Sequence, residues 1–326
     1  VSLDDKYAME NGRVFLTGTQ ALVRLPMLQR QRDQAKGLNT GCYISGYRGS
    51  PLGGFDQQLW QAKPFLDRND IVFQPGVNED MAATALWGCQ QLNLGPKSKH
   101  DGVFGIWYGK APGLDRATDA LRHAVFAGTS RYGGAVVLVG DDPSAKSSTL
   151  PSSSDSALVD LHIPILYPGD VQEILDLGRH AIELSRLAGV WTSLKVVAAV
   201  GDGSGTANLD LGRTIPVVPD MVIDGVAYEH RPDGNLITPH TLRLEQDFRE
   251  ARAELVRRYA LANGLNRTTV DTPDAWIGLV ASGFTYYEML QALGRLGLTT
   301  PAEIAAAGIR VFQMQMPVPF NPAVIR

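Results

Sequence analysis

Residues Phe73-Gln-Pro-Gly-Val-Asn-Glu-Asp-Met-Ala-Ala-Thr-Ala-Leu-Trp-Gly-Cys-Gln90 decide how this 326-residue chain is read. A short apolar strand, Ile71 to Gln74, runs into Pro75-Gly76. Asn78 then stands where a helix N-cap belongs, with Glu79 and Asp80 in the first turn and small and apolar residues behind them. Acids in a first turn are favoured by the helix dipole alone, so their position does not by itself make either one catalytic. Their neighbours in the chain single them out. The loop Gly46-Tyr-Arg-Gly-Ser-Pro-Leu-Gly-Gly54 comes before them and Asp141-Asp-Pro-Ser-Ala-Lys-Ser-Ser148 after, each behind an apolar strand. In a parallel sheet all three would meet along one edge.

Outward from that stretch, strands and helices alternate. Thr17 to Arg32 reads as a capped amphipathic helix closed by Gly37, with Pro26 either kinking it or sitting near its first turns. There follow strand Cys42 to Ser45, helix Phe55 to Leu66, helix Asn78 to Leu94, strand Val103 to Tyr108, helix Leu114 to Ala127 and strand Ala135 to Val139. After a Ser-rich loop, Asp141 to Ser156, come strand Ile163 to Leu166, helix Val171 to Leu187 and strand Val190 to Val200. The order predicts an α/β fold, a doubly wound parallel sheet, in a first domain spanning residues 1–200. Residues 201–272 read as an insert with β-like pieces at Ile215 to Val218 and Met221 to Ile223, then a surface or bridging linker helix, Thr241 to Asn263. Residues 273–326 read as a second, incomplete α/β domain: strand Ile277 to Ala281, helix Tyr286 to Gly297, a short helix Ala302 to Ala307, and strand Ile309 to Gln313. Two strands bury too little, so the expectation is a chain truncated there or completed by a partner.

Composition narrows the function classes. The chain is 44% hydrophobic and 20% charged with a net charge of -4, and its basic residues are dispersed, which excludes nucleic acid as a partner. Apolar runs such as Ala135 to Val139 and Val196 to Val200 are far too short to span a membrane. The polar, acidic start, Val1-Ser-Leu-Asp-Asp-Lys6, lacks a signal-peptide core, so the expected compartment is the cytoplasm. Two cysteines, Cys42 and Cys89, exclude a disulfide framework, a four-cysteine zinc site and a self-contained iron–sulfur cluster.

The glycines at 46, 49, 53 and 54 miss the spacing of a dinucleotide fingerprint and of a P-loop. The loop nonetheless lets backbone approach a ligand, with Arg48 and Ser50 offering a charge and a hydroxyl. Gly201-Asp-Gly-Ser-Gly-Thr-Ala-Asn208 begins like the magnesium motif of thiamine diphosphate enzymes, but proline-rich chain follows and the asparagine pair is missing. His100, His123, His162, His180, His230 and His240 show no metal-ligand spacing. No nucleophile elbow surrounds Ser147 and Ser148.

Five ordered motifs carry a family resemblance: Gly46-Tyr-Arg-Gly-Ser-Pro51, Val77-Asn-Glu-Asp80, Lys110-Ala-Pro-Gly-Leu-Asp115, Asp141 to Ser148, and Ile163-Pro-Ile-Leu-Tyr-Pro-Gly-Asp-Val-Gln-Glu173. Together they resemble the N-terminal part of the indolepyruvate ferredoxin oxidoreductases, in particular the long, fused bacterial form. Gly278-Leu-Val-Ala-Ser-Gly-Phe-Thr-Tyr286 resembles the start of that family's transketolase C-terminal-like domain. The resemblance implies that residues 1–200 bind the pyrimidine of thiamine diphosphate, with Glu79 as the carboxylate against the ring nitrogen that promotes loss of the thiazolium C2 proton. It further implies Gly49, Ser50, Asn78, Lys110 and Asp142 as cofactor-binding residues, with Arg48 a departure from shorter relatives, which carry proline there. A 2-oxo acid such as an arylpyruvate would be decarboxylated, its electrons passed through iron–sulfur clusters to ferredoxin, and the acyl group taken by coenzyme A. Magnesium and the clusters would sit in domains this chain lacks, so it would be inactive alone and work as a homodimer against a diphosphate-binding domain of the same enzyme or a second copy. Two other readings stand beside this one: a non-catalytic subunit or fragment that scaffolds a complex, and a Rossmann-like nucleotide module, which the missing fingerprint disfavours.

Overall fold

A computed structural model of the chain describes residues 2–95, 98–145 and 148–324. Lys146 and Ser147 of the Asp141 loop lie outside the described residues. Six parallel strands, Thr40–Gly46, Ile71–Phe73, Gly102–Lys110, Ala135–Asp141, Ile165–Leu166 and Trp191–Val197, make the central sheet. Across it they run 71–73, 40–46, 102–110, 135–141, 191–197, 165–166. Ala135–Asp141 and Trp191–Val197 are buried at every position, as strands covered on both faces must be. Helix Gly18–Ala35 packs on Val171–Ala188, and Glu79–Gln90 on Ala111–Ala127. This is the expected doubly wound sheet. From strand 40–46 the chain steps outward to 71–73 and then crosses back to 102–110, so the order reverses between Gly46 and Lys110.

Several local expectations change. The Phe55–Leu66 helix is two, Phe55–Gln61 and Lys63–Arg68, because Pro64 has no N–H to continue the first. The last central strand stops at Val197 and a turn of helix, Ala198–Gly201, follows. Arg13–Thr17 and Ser204–Asn208, not expected as strands, pair antiparallel, with Val14 and Leu16 turned inward. Ile215 to Val218 forms no strand; the small hairpin pairs Val222–Ile223 with Val226–Ala227. The second sheet has three strands rather than two, ordered Asn266–Val270, Ile309–Met314, Ile277–Ser282. Its unexpected first strand is held by Asn266, whose side chain donates to Met316 O at 2.8 Å and accepts from Met316 N at 2.9 Å.

The segment expected as a surface helix is instead docked. It runs His240–Asp247, a π-helical turn Phe248–Arg252, and Ala253–Ala262, and Phe248, Leu255, Val256 and Tyr259 join the main core. Arg252 is fully buried and donates to Val125 O at 3.1 Å, Phe126 O at 3.2 Å and Gly189 O at 3.4 Å, carbonyls at the C-terminal ends of two helices, while Asp247 pairs it at 3.0 Å. The two sheets meet at another buried charge. Glu173 Oε1 accepts from Tyr287 Oη at 2.9 Å and from Gln313 and Gln315 Nε2 at 2.8 Å each, and its Oε2 accepts from Gly169 N at 2.8 Å. Among the described residues, no helix is long and apolar enough to cross a membrane.

Candidate functional site

The C-terminal ends of strands 40–46, 71–73, 102–110 and 135–141 share one edge, and each expected site residue follows one of them. At the reversal of strand order, where open α/β sheets leave a crevice, the glycine-rich loop and Lys110 meet. A Cβ on Gly49 would stand 2.8 Å from Lys110 Cδ and 3.0 Å from its Cγ, so the lysine stem runs along bare backbone. Gly76 N donates to Gly46 O at 2.9 Å, which draws the Pro75–Asn78 turn to the same place.

Asn78 is the N-cap of helix Glu79–Gln90: its Oδ1 accepts from Met81 N at 2.9 Å. That bond occupies the amide oxygen with a structural task. Glu79 follows, 8% exposed, and its backbone carbonyl accepts from Trp107 Nε1 at 3.1 Å. Its carboxylate lies against the first turn of helix Ala111–Ala127, where a Cβ on Gly113 would stand 2.6 Å from Oε1. Among the described residues the Glu79 side chain has no hydrogen-bond or ion-pair partner, whereas its neighbour Asp80 is half-exposed and sits 3.8 Å from Arg116 Nε.

Ser50 lies on the loop that folds over the next strand but one, for a Cβ on Gly140 would meet Pro51 Cδ at 2.9 Å and Leu52 Cγ at 2.8 Å. Asp142, buried, begins the loop beyond that strand. Thus Glu79 with Gly113, and Gly49 with Lys110, are brought into contact, while Ser50 and Asp142 stand at the adjoining strand end. Arg48, with Asp56 and Tyr108, adds charge on the loop side: burial pushes the Asp56 carboxyl up and the Tyr108 hydroxyl well up, the latter helped by the Asp56 charge.

Lys195 was missed. It comes from the central strand Trp191–Val197 and donates to Asp155 Oδ1 and Oδ2 at 2.8 and 2.6 Å, 3.4 Å from Asp141 Oδ2. Asp141 also accepts from Ser154 Oγ at 2.6 Å. Both ends of the Ser-rich loop are therefore tied to one ammonium. Burial alone would lower Lys195, but the two carboxylates outweigh it and hold it above its ordinary value. Gly113 and Trp107 were missed as well; a glycine inside the first turn of a helix was the available signal. Among the described residues no group of His, Cys, Asp and Glu is arranged to hold a metal ion, and the Gly201 motif falls in a turn of helix and a strand.

This doubly wound sheet is shared with a solved 2-oxoacid:ferredoxin oxidoreductase. The chain superposes on the solved 2-oxoglutarate:ferredoxin oxidoreductase of Magnetococcus marinus, which carries 2-oxoglutarate, coenzyme A and succinyl-CoA, with a TM-score of 0.64 and 13% identity, over 95% of this chain and 55% of that one. More particularly, the sequence is 26% identical over 302 residues to the indolepyruvate oxidoreductase subunit IorA of Methanothermobacter marburgensis, covering 92% of this chain and 44% of that protein. The IorA subunits of Archaeoglobus fulgidus and Pyrococcus abyssi match at 24% over 294 and 26% over 292 residues. The chain is a homologue of these subunits and spans under half the length of the curated relatives it matches. No family model matches it.

Proposed function

We propose that this chain is the pyrimidine-binding part of a thiamine diphosphate-dependent 2-oxoacid:ferredoxin oxidoreductase acting on arylpyruvates such as indolepyruvate, with Glu79 as its catalytic carboxylate. The observation that carries the reading is Glu79 itself, a residue only 8% exposed whose carboxylate has no protein partner among the described residues and is seated on Gly113 beside the reversal in strand order. A ring nitrogen that offers or takes a proton is the partner such a group lacks. When bound, the cofactor supplies the carbon nucleophile and electron sink for decarboxylating a 2-oxo acid.

The chain's own residues would do the rest. Glu79 holds or moves the proton at the pyrimidine; Gly49 and Ser50 bring loop backbone and a hydroxyl to the ligand; Lys110 sets a positive charge at the crevice for an anionic substrate; Asp142 borders the adjoining strand end. Asn78 acts by fixing the helix that carries Glu79. Magnesium, the iron–sulfur clusters, the coenzyme A site and the ferredoxin contact belong in this reading to other parts of a cytoplasmic homodimer.

Exposed apolar side chains support a covering domain. Trp60, Val72, Val77 and Met81 are each more than half exposed around the edge strand and the Glu79 helix. In this reading the diphosphate-binding domain of the same enzyme, or of a second copy, rests there.

The test is Glu79→Gln in the full-length enzyme, with exchange of the cofactor's C2 proton followed by NMR. Loss of acid–base assistance should slow exchange by roughly 10² to 10⁴-fold while the fold survives. Unchanged exchange in a folded, cofactor-loaded variant would remove Glu79 from the chemistry and leave the scaffold reading.

A further inference from the structure

On the opposite side of the molecule, a cavity of about 720 Å³ opens beneath the 211–230 segment. Lys36 and Leu38, Arg131 and Tyr132, and Leu187 bring it to the N-terminal ends of strands 40–46, 135–141 and 191–197, the edge away from Glu79. Its apolar wall comes from Ile215, Pro216, Val218 and Met221, with Tyr228 and Tyr259 beside them.

The charges around it do not balance. Asp33 pairs with Arg186 at 2.8 Å, Glu229 with Arg131 at 2.7 Å, Asp176 with Arg213 at 3.0 Å, and Glu183 with Lys36 at 3.9 Å. Each nearby carboxylate is thereby engaged, and two buried guanidinium groups are left over. Arg179, which lines the cavity and is 6% exposed, donates to Leu211 O at 2.8 Å, and Arg32, 8% exposed, donates to the same carbonyl at 3.4 Å. Among the described residues neither forms an ion pair, and the Nε of each is buried with no partner. Burial, then repulsion from Arg179, pulls Arg32 down to about 9 against the attraction of Glu183, Asp176 and Asp33. Two like charges held out of water around one carbonyl are costly, and Glu183 and Asp176, already paired elsewhere, offset that cost only from a distance. A planar guanidinium fork, in turn, matches carboxylate and phosphate oxygens.

We infer that this cavity is a binding site for a small organic anion, whose carboxylate or phosphate group is held by Arg179 with Arg32 behind it and whose apolar body lies on the Ile215–Met221 wall. The site stands apart from the Glu79 edge and does not depend on the reading given to it.

The experiment is titration of the full-length protein with phenylacetate, adenosine monophosphate and inorganic phosphate, by calorimetry and by thermal shift, in the wild type, in Arg179→Gln and in Ile215→Trp. Ile215 lines the cavity and is 70% exposed, so a larger ring there is expected to narrow the cavity without disturbing the core, and that variant stands even if Arg179→Gln fails to fold. Saturable binding to the wild type, weakened more than about tenfold in both variants, is expected from the loss of charge-assisted bonds and of space. Phenylacetate alone would assign a carboxylate ligand, adenosine monophosphate alone a phosphate ester. No saturable binding of any probe at ~10 mM, or equal binding in the variants, overturns the inference.

Discussion

The carboxylate of Glu79 rests on the backbone of Gly113 so closely that a methyl group there would stand 2.6 Å from its Oε1 and 2.8 Å from its Cγ. This contact gives Gly113→Ala a sign. Helix propensity alone favours alanine by up to about 1 kcal/mol. Overpacking against Glu79 opposes it by about 1 to 3 kcal/mol. Net destabilisation in a thermal melt, with weaker cofactor binding, is expected. A stabilised variant would mean that Glu79 is not seated there.

Lys195→Met should loosen the Ser-rich loop. The substitution leaves buried Asp141 with Ser154 alone and frees Asp155, at a cost of about 1 to 3 kcal/mol, reduced because Asp155 is half exposed. Limited proteolysis between residues 142 and 154 reads the result, and an unchanged cleavage rate refutes the tie. The pH window follows from both partners. Burial opposes ionisation of Asp155, but the Lys195 hydrogen bond prevails and holds it below 3.8, so its contribution is present above that value and lost as pH falls through the lowered one. Lys195 is raised above 10.5, so its share is present below that value and lost as pH rises through the raised one.

Glu173→Ala should separate the two sheets. Four donors converge on this carboxylate, and Tyr287, Gln313 and Gln315 would be left without an acceptor. A loss of about 3 to 5 kcal/mol is expected for breaking a buried, charged network. Hydrogen exchange should rise at the 277–282 and 309–314 strands before it rises in the central sheet. Uniform exchange across both would show that the carboxylate does not join them.

Two histidines, His180 buried and His230 partly buried, predict acid sensitivity well above the carboxylate range. Burial, reinforced by Arg179 and Arg32, lowers His180 to about 4, and burial with Arg252 lowers His230 to about 3, from an ordinary 6.5. Between those values the unfolded chain binds protons the folded chain refuses, so stability falls as pH drops below 6.5. At pH 5 each contributes a loss of about 2 kcal/mol. Denaturant midpoints measured from pH 7.5 to 5 in the wild type and in His180→Phe should show a shallower fall in the variant. Parallel curves would exclude His180 as a source.

The alternation from Cys42 to Val197 exposed the sheet because parallel strands covered on both faces must be apolar throughout, and Asn78 was readable as a cap because capping is local chemistry. What escaped was carried by polar residues with distant partners. Ser204–Asn208 has a single fully buried apolar side chain, Ala207, and gains its strand only from Arg13–Thr17 nearly two hundred residues earlier. Charges along Thr241 to Asn263 suggested a solvated helix, yet Arg252 is spent inside the protein on backbone carbonyls. At the candidate site, strand ends placed the residues along one edge, but the Glu79–Gly113 contact depends on how closely two helices pack, which no periodicity records.

Arg252 also bears on the order in which the molecule can be made. Val125 O and Phe126 O end one helix, Gly189 O follows another, and their donor lies 127, 126 and 63 residues further along the chain. On the ribosome, the six-stranded sheet is synthesised well before the side chain that closes its helix ends, so the nascent sheet waits with those carbonyls facing water. A protein cut at residue 200 is therefore a poor surrogate for the intact chain, and an expression boundary belongs beyond Ala262, where the docked helix ends.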